Sequence, residues 1–268
     1  MIFVYIWAMK SRLLHLFLSA ALLLAAAAAY GQGKIYTRKV RLEDFPTRTT
    51  KIVIEGNSFL ELALREEIAI HWRISPYEFC SRDEYDRLRS SNNFYFLNLA
   101  QEEGLAYLIL TKGGRDGEKE SLKKPFEVVR MPIACFDDPS GRELVFMGAF
   151  LDIIQNFVEA AMISDKVAYG GLSAANGIKL RGKTIYLNPE RADEAYLNGE
   201  ADALLAVCIA PARISFDTVC YKMLISADTH ELYYFVKDRF QGPKDALFSA
   251  SELNHFVRRG GTVISTGI

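Results

Sequence analysis

The sequence lacks several of the short motifs that identify many enzymes. It contains no glycine fingerprint between a predicted strand and helix and no G-x-S-x-G serine motif. It also has no H-E-x-x-H zinc motif, and its four histidines are widely separated along the chain. We therefore expect no phosphate loop, no dinucleotide or other cofactor, and no metal site.

Long runs of one charge are also absent. The 268-residue chain has 32 Lys and Arg against 33 Asp and Glu, with both signs interspersed. Nucleic-acid binding needs a clustered positive surface, so we expect no nucleic acid as a partner. Half of the residues are hydrophobic, which excludes an intrinsically disordered chain and is sufficient for a sizeable core.

The beginning of the chain has the three-part layout of a secretory signal peptide. Lys10 and Arg12 precede an apolar stretch over residues 13–29, and Ala29-Tyr30-Gly31 places small side chains at the two cleavage positions. The apolar stretch is short for a membrane span, which needs roughly 20 residues. An uncleaved membrane anchor is the alternative interpretation.

This layout predicts a signal peptide at residues 1–31, and its cleavage would leave a mature chain at 32–268. Met9 is an alternative initiator. No second long apolar run follows, so we expect no transmembrane span after cleavage. The predicted location is the periplasm, or another exported compartment, of a Gram-negative bacterium. The mature part is expected to form a single globular α/β domain.

The chain has four cysteines, all in the predicted mature part. Cys208 and Cys220 lie on two apolar runs joined by a loop, so one prediction is a disulfide between them across a hairpin. The alternative is that all four, including Cys80 and Cys135, are free thiols in the core. Spacing does not decide between these interpretations.

Strand-like runs alternate with amphipathic helices along residues 32–268. Capping boxes such as Ser58 with Glu61 mark helix starts, and the clearest helix spans 145–164 with a broad apolar stripe. Closely spaced hairpins mix the strand directions. The pattern predicts an α/β (α+β) fold with a mixed, largely antiparallel sheet, helices packed on it, and two similar β-α-β-rich halves.

Two segments are expected to lack regular structure. Residues 113–124 are glycine-rich and densely charged, which is typical of a solvated loop. The tail after residue 260 is predicted to be frayed. Pro132 cannot donate to a β-ladder, so the strand that contains it is predicted at a sheet edge.

Glu67 and His71 are the first candidates for chemistry, because they stand four residues apart on a predicted helix. They fit a metal-ligand or acid–base pair, but the sequence nominates no third ligand, which favours an ordinary helix-surface ion pair. His230 lies in a second polar cluster over residues 228–231, which is typical of a hairpin tip. All three are therefore weak catalytic candidates.

Residues 74–80 (ISPYEFC) and 220–234 (CYKMLISADTHELYY) resemble an uncharacterised family of exported proteins from Bacteroidetes-type bacteria. The resemblance extends through most of the predicted mature chain. It implies export and carries no known chemistry, so no functional residue is transferred from it.

Three functions are open at this point. The leading hypothesis is a non-enzymatic protein that binds an envelope protein or surface component, because no reactive motif is present. A periplasmic solute-binding protein is an alternative, since residues 180–185 and 195–203 are similar to the second-lobe strand–helix–strand of such proteins. A hydrolase with a dispersed catalytic site is another, and it requires His71, His230 or His255 to meet a carboxylate or serine in the fold.

Overall fold

Two five-stranded sheets form the framework of the chain. The computed structural model describes residues 37–56, 58–114, 124–136, 142–174 and 180–265. The predicted signal peptide at 1–31 lies outside the described residues, as does most of the predicted loop at 113–124. Residues 38–268 form one compact unit.

The first sheet contains the strands β1 (Thr49–Val53), β2 (Tyr77–Cys80), β3 (Phe94–Glu102), β4 (Leu105–Lys112) and β5 (Phe126–Cys135). Their order in the sheet is β2-β1-β3-β4-β5. β1 is parallel to both of its neighbours, whereas β3, β4 and β5 form an antiparallel meander. Pro132 lies in β5 at the sheet edge, as its missing N–H predicts.

The second sheet contains β6 (Thr184–Tyr186), β7 (Ala203–Ile209), β8 (Val219–Ser226), β9 (Leu232–Arg239) and β10 (Thr262–Ile264). Their order is β10-β6-β7-β8-β9, with β6 parallel to both neighbours and an antiparallel meander over β7, β8 and β9. Both sheets therefore have the same arrangement of strand directions.

Seven α-helices lie in the part of the chain that the structure describes: α1 (Arg38–Leu42), α2 (Phe59–His71), α3 (Arg82–Leu88), α4 (Met147–Ile163), α5 (Asp165–Gly170), α6 (Pro189–Leu197) and α7 (Ala250–Arg258). Short 3-10 turns at residues 45–47, 142–146 and 243–246 complete the helical elements. The order of helices and strands along the chain confirms the predicted α+β class. The strands form two mixed sheets, whereas one was predicted.

The two halves differ in the place of the edge strand along the chain. In the first half β1 leads through α2 directly to the edge strand β2, whereas in the second half the edge strand β10 is reached last, through α7. The two sheets therefore share one arrangement of strands, and their edge strands enter at different points of the chain.

Helix α4 provides the centre of the main core. Its side chains Phe150 and Ile154 are fully buried in one cluster with Leu97 of the first sheet and Leu205 of the second. Burial of side chains this large stabilises the fold by roughly 1.5–3 kcal/mol each. The helical stretch Arg142–Ile163 is long and apolar enough to cross a membrane by composition, but 67% of its most apolar window is buried inside the protein. It is a core helix of this fold.

The predicted frayed tail is wrong for residues 262–264. The backbone N–H of Gly260 and Gly261 donates to the carbonyls of Val257 and Phe256, which closes α7, and Gly260 adopts φ +87°. This turn directs β10 to the edge of the second sheet. The glycine pair therefore marks a helix end followed by a strand.

Of the two interpretations left open for the cysteines, the structure agrees with free thiols, since all four cysteines are free. In the β7–β8 ladder Cys208 lies opposite Lys222, two residues away from Cys220. A diagonal pair on one sheet face is about 7–8 Å apart, beyond the distance that a disulfide bridges without backbone movement. Ladder register therefore keeps the two thiols apart.

Candidate functional site

Three side chains from distant parts of the chain meet at one carboxylate oxygen. Nδ1 of His71 lies 2.8 Å from Oδ2 of Asp152, and Nδ1 of His230 lies 2.7 Å from the same oxygen. His71 is the last residue of α2, Asp152 lies on α4, and His230 lies in the turn between β8 and β9. The first half, the central helix and the second half thus each contribute one residue.

A buried glutamine fixes the end of α2 beside Asp152. Oε1 of Gln155 accepts bonds from the backbone N–H of Arg73 and Ile74 at 2.7 and 3.1 Å. Its Nε2 donates to the carbonyl of His71 at 2.9 Å and to Oδ1 of Asp152 at 3.1 Å. The last turn of α2 leaves carbonyls without helical partners, and Gln155 satisfies that of His71 together with two N–H groups just beyond the helix. It also directs the other oxygen of Asp152 toward the histidines.

A glycine on α4 makes room for the His71 ring. A Cβ atom at Gly148 would lie 2.4 Å from Nε2 of His71. Gly148, Asp152 and Gln155 stand at i, i+4 and i+7, so they share one helix face. This face of α4 is shaped to receive the end of α2.

His230 reaches the site through an unusual backbone conformation. Its φ angle is +55°, and its N–H donates to the carbonyl of Ser226 at 3.1 Å. Its ring lies beside Tyr196 of α6, with 5.3 Å between the ring centroids. Burial raises the pKa of Tyr196 to about 12, so this phenol stays neutral next to the site.

Asp152 is held in its ionised form. Burial alone would raise the pKa of its carboxyl group, but the hydrogen bonds with His230 and His71 outweigh burial and lower the pKa below the ordinary 3.8. The side chains of His71, Asp152 and His230 are 17%, 26% and 16% exposed. The site is therefore partly buried, and each of the three side chains keeps some exposed surface.

This donor set can hold a metal ion. One ligand atom from each of His71, Asp152 and His230 lies within 4.8 Å of the others. Two imidazole nitrogens and a carboxylate oxygen are common ligands of zinc and related transition metals. Glu67 lies next to the group, with Oε2 3.3 Å from Nε2 of His71.

The sequence identified Glu67, His71 and His230 as candidates, but it did not show that the two histidines lie close together in the fold. Glu67 and His71 form the expected pair four residues apart, and His230 lies in the expected turn, yet the fold brings both histidines to one carboxylate. Nothing in the sequence singled out Asp152, because its only visible context is a helix with a broad apolar stripe. A glycine and two polar residues on one face of an otherwise buried helix were the available signal. His255 is exposed on α7.

The expectation that the chain carries no phosphate-loop pattern is wrong for the spacing alone, but the matching segment lacks the required structural context. Residues 177–184 fit the G-x-x-x-x-G-K-[ST] spacing. In phosphate loops the Lys-Thr end opens a helix, whereas Thr184 is the first residue of β6, and Nζ of Lys183 lies 2.6 Å from Asp202. Gly177 lies outside the described residues. The segment leads into a strand and offers no helix N-terminus to a phosphate.

A cavity of about 450 Å³ lies apart from the histidines, at the end of β1. Glu61, at the start of α2, accepts bonds there from the backbone N–H of Glu55 and Gly56 at 2.7 and 2.9 Å. These two amide donors of the segment before α2 therefore already have an anionic partner within the chain.

Comparisons with known proteins identify no relative. No family model matches the chain, and no curated protein or solved structure matches it significantly. The function of the site is therefore inferred from its geometry alone.

Proposed function

We propose that the chain binds a divalent transition-metal ion of the zinc class through Nδ1 of His71, Nδ1 of His230 and Oδ2 of Asp152. The observation that carries the proposal is the convergence of both Nδ1 atoms on one carboxylate oxygen, at 2.8 and 2.7 Å. Zn–N and Zn–O distances of about 2.0–2.2 Å require only a small outward movement of these atoms.

The ligand types select the class of metal. Two imidazoles favour zinc, copper, nickel or iron, whereas magnesium and calcium prefer sites made of oxygen ligands. The lowered pKa of Asp152 supplies a negative charge to the site at neutral pH. Three protein ligands leave one tetrahedral position for water or for a ligand atom from a partner.

We also propose that the protein acts outside the cytoplasm, as a binding protein of the cell envelope whose partner is an envelope protein or surface component. The signal-like layout of residues 1–31 supports this location. Mass spectrometry of the native protein tests it, and the expected first residue is Gln32. An intact leader on the native protein would contradict export with cleavage.

Metal-assisted hydrolysis is the second candidate function. His71 and His230 meet a carboxylate, which is the condition that a dispersed hydrolase site requires, and a bound metal with an open position activates water. The test is hydrolysis of p-nitrophenyl acetate and bis-p-nitrophenyl phosphate by the zinc-loaded chain. A rate equal to that of the Asp152→Asn variant would exclude this function for these substrates.

Isothermal titration of the metal-free full-length chain with Zn²⁺ tests metal binding. We expect one ion per chain, and binding roughly 100-fold weaker or more in His71→Ala, His230→Ala and Asp152→Asn. His255→Ala is the matched control, because it removes an exposed histidine, and it should bind as the wild type does. Circular dichroism melting confirms that each variant is folded. Equal binding by wild type and Asp152→Asn would refute the proposal.

A further inference from the structure

We propose that Glu67 is a positioning residue for the metal, because it holds the proton of His71 on Nε2 and so leaves Nδ1 free to bind the ion. The inference rests on the proposed metal binding and assigns a role to a residue outside the ligand set.

The two nitrogens of His71 face different surroundings. Nδ1 points to Asp152 at 2.8 Å, whereas Nε2 lies 3.3 Å from Oε2 of Glu67. The Nε2 edge also lies against Gly148, where a Cβ atom would be only 2.4 Å away. The Nε2 edge is thus enclosed by α4 and Glu67, and Nδ1 is the atom that faces the other two ligands.

The chemistry of imidazole then defines the role of Glu67. A neutral imidazole carries one N–H, and the nitrogen that binds a metal must present its lone pair. When His71 binds through Nδ1, its remaining N–H is on Nε2, 3.3 Å from Oε2 of Glu67. A proton that Nδ1 shares with Asp152 in the absence of the ion must leave this nitrogen before its lone pair can bind the ion.

The Asp152 ligand is oriented in the same manner. Nε2 of Gln155 donates to Oδ1 of Asp152 at 3.1 Å, which leaves Oδ2 directed at both histidines. Partners of this kind fix ligand orientation in metal sites, and their loss typically weakens metal affinity about 10–100-fold. Two of the three proposed ligands therefore have a dedicated partner.

The test compares Glu67→Ala and Glu67→Gln in the full-length chain, with Zn²⁺ affinity measured by chelator competition. We expect Glu67→Ala to bind about 10–100-fold more weakly. Glu67→Gln keeps an oxygen that accepts the Nε2 proton, so it should recover most of the affinity. Glu66→Ala removes an exposed neighbour on the same helix and should bind as the wild type does.

Imidazole ¹⁵N NMR provides a readout that a merely structural role would not change. In the zinc-loaded wild type we expect His71 as the Nε2–H tautomer. Wild-type affinity in Glu67→Ala, or equal losses in the Ala and Gln variants, would overturn the role of Glu67 while metal binding stands. Failure of the wild type to bind Zn²⁺ would instead refute the proposed function itself.

Discussion

The rings of His71 and His230 lie 5.7 Å apart, and each directs Nδ1 to the same oxygen of Asp152. Asp152 is 81 residues from His71 and 78 from His230 in the chain. Contacts between such distant segments hold the first half, the central helix and the second half together at one point. An ion bound there would therefore stabilise the packing of both halves on α4.

Metal binding should stabilise the folded chain. An ion that binds only the native state at a free concentration 100 times its Kd adds about 2.7 kcal/mol to the free energy of unfolding. Urea denaturation with and without Zn²⁺ measures this gain. We expect a gain of about 0.4 kcal/mol or less in Asp152→Asn, because its Kd is at least about 100-fold higher, and a similar gain in both proteins would place the ion elsewhere.

Gly148→Ala should disrupt the site by displacing His71. The added Cβ meets the imidazole at 2.4 Å, and overpacking of this kind costs about 1–3 kcal/mol. Thermal melting and Zn²⁺ titration should both show the loss. Gly170→Ala is the matched control, since its Cβ meets nothing within 4 Å. Equal behaviour of the two variants would show that His71 does not depend on Gly148.

Gln155→Leu should destabilise the fold even without metal. It leaves the N–H groups of Arg73 and Ile74 without their acceptor, and unsatisfied groups of this kind cost about 1–3 kcal/mol each when buried. Urea denaturation measures the change in the free energy of unfolding. The exposed neighbour Asn156→Ala should alter it by less than about 0.5 kcal/mol.

Glu252 should make the fold sensitive to acid. Burial alone would raise its pKa, but bonds from Lys222, Ser249 and Tyr234 lower it from the ordinary 4.5 to about 2. Because the folded-state pKa is depressed, the stabilisation is present above pH 4.5 and is lost as pH falls toward 2. The difference is at most about 3 kcal/mol.

Chemical denaturation across this pH range, with Glu252→Gln as the comparison, measures that effect. The wild type should be more stable at pH 7, and the two curves should converge near pH 2. A gap that stays constant from pH 7 to pH 2 would show that ionisation of Glu252 does not stabilise the fold.

Local signals in the sequence predicted the elements well. The capping boxes of Ser58 with Glu61 and Ser249 with Glu252 are both present at helix starts, because these contacts span only three residues. The edge position of Pro132 followed from its missing N–H for the same local reason. These features could be predicted because each depends on residues that are close together in the sequence.

The pairing and register of strands that are distant in the sequence could not be predicted. The division into two sheets, the strand at 262–264 and the offset of Cys208 from Cys220 depend on pairings between distant segments. The meeting of His71 with His230 has the same origin, since α4 brings them together through Asp152. A single sequence records the residue types but not which distant residues become neighbours.

Anomalous diffraction from crystals of the zinc-loaded chain tests the central claim most directly. The account predicts a zinc peak about 2.0–2.2 Å from Nδ1 of His71, Nδ1 of His230 and Oδ2 of Asp152. A strong peak at other side chains, with these three still hydrogen-bonded to one another, would contradict it.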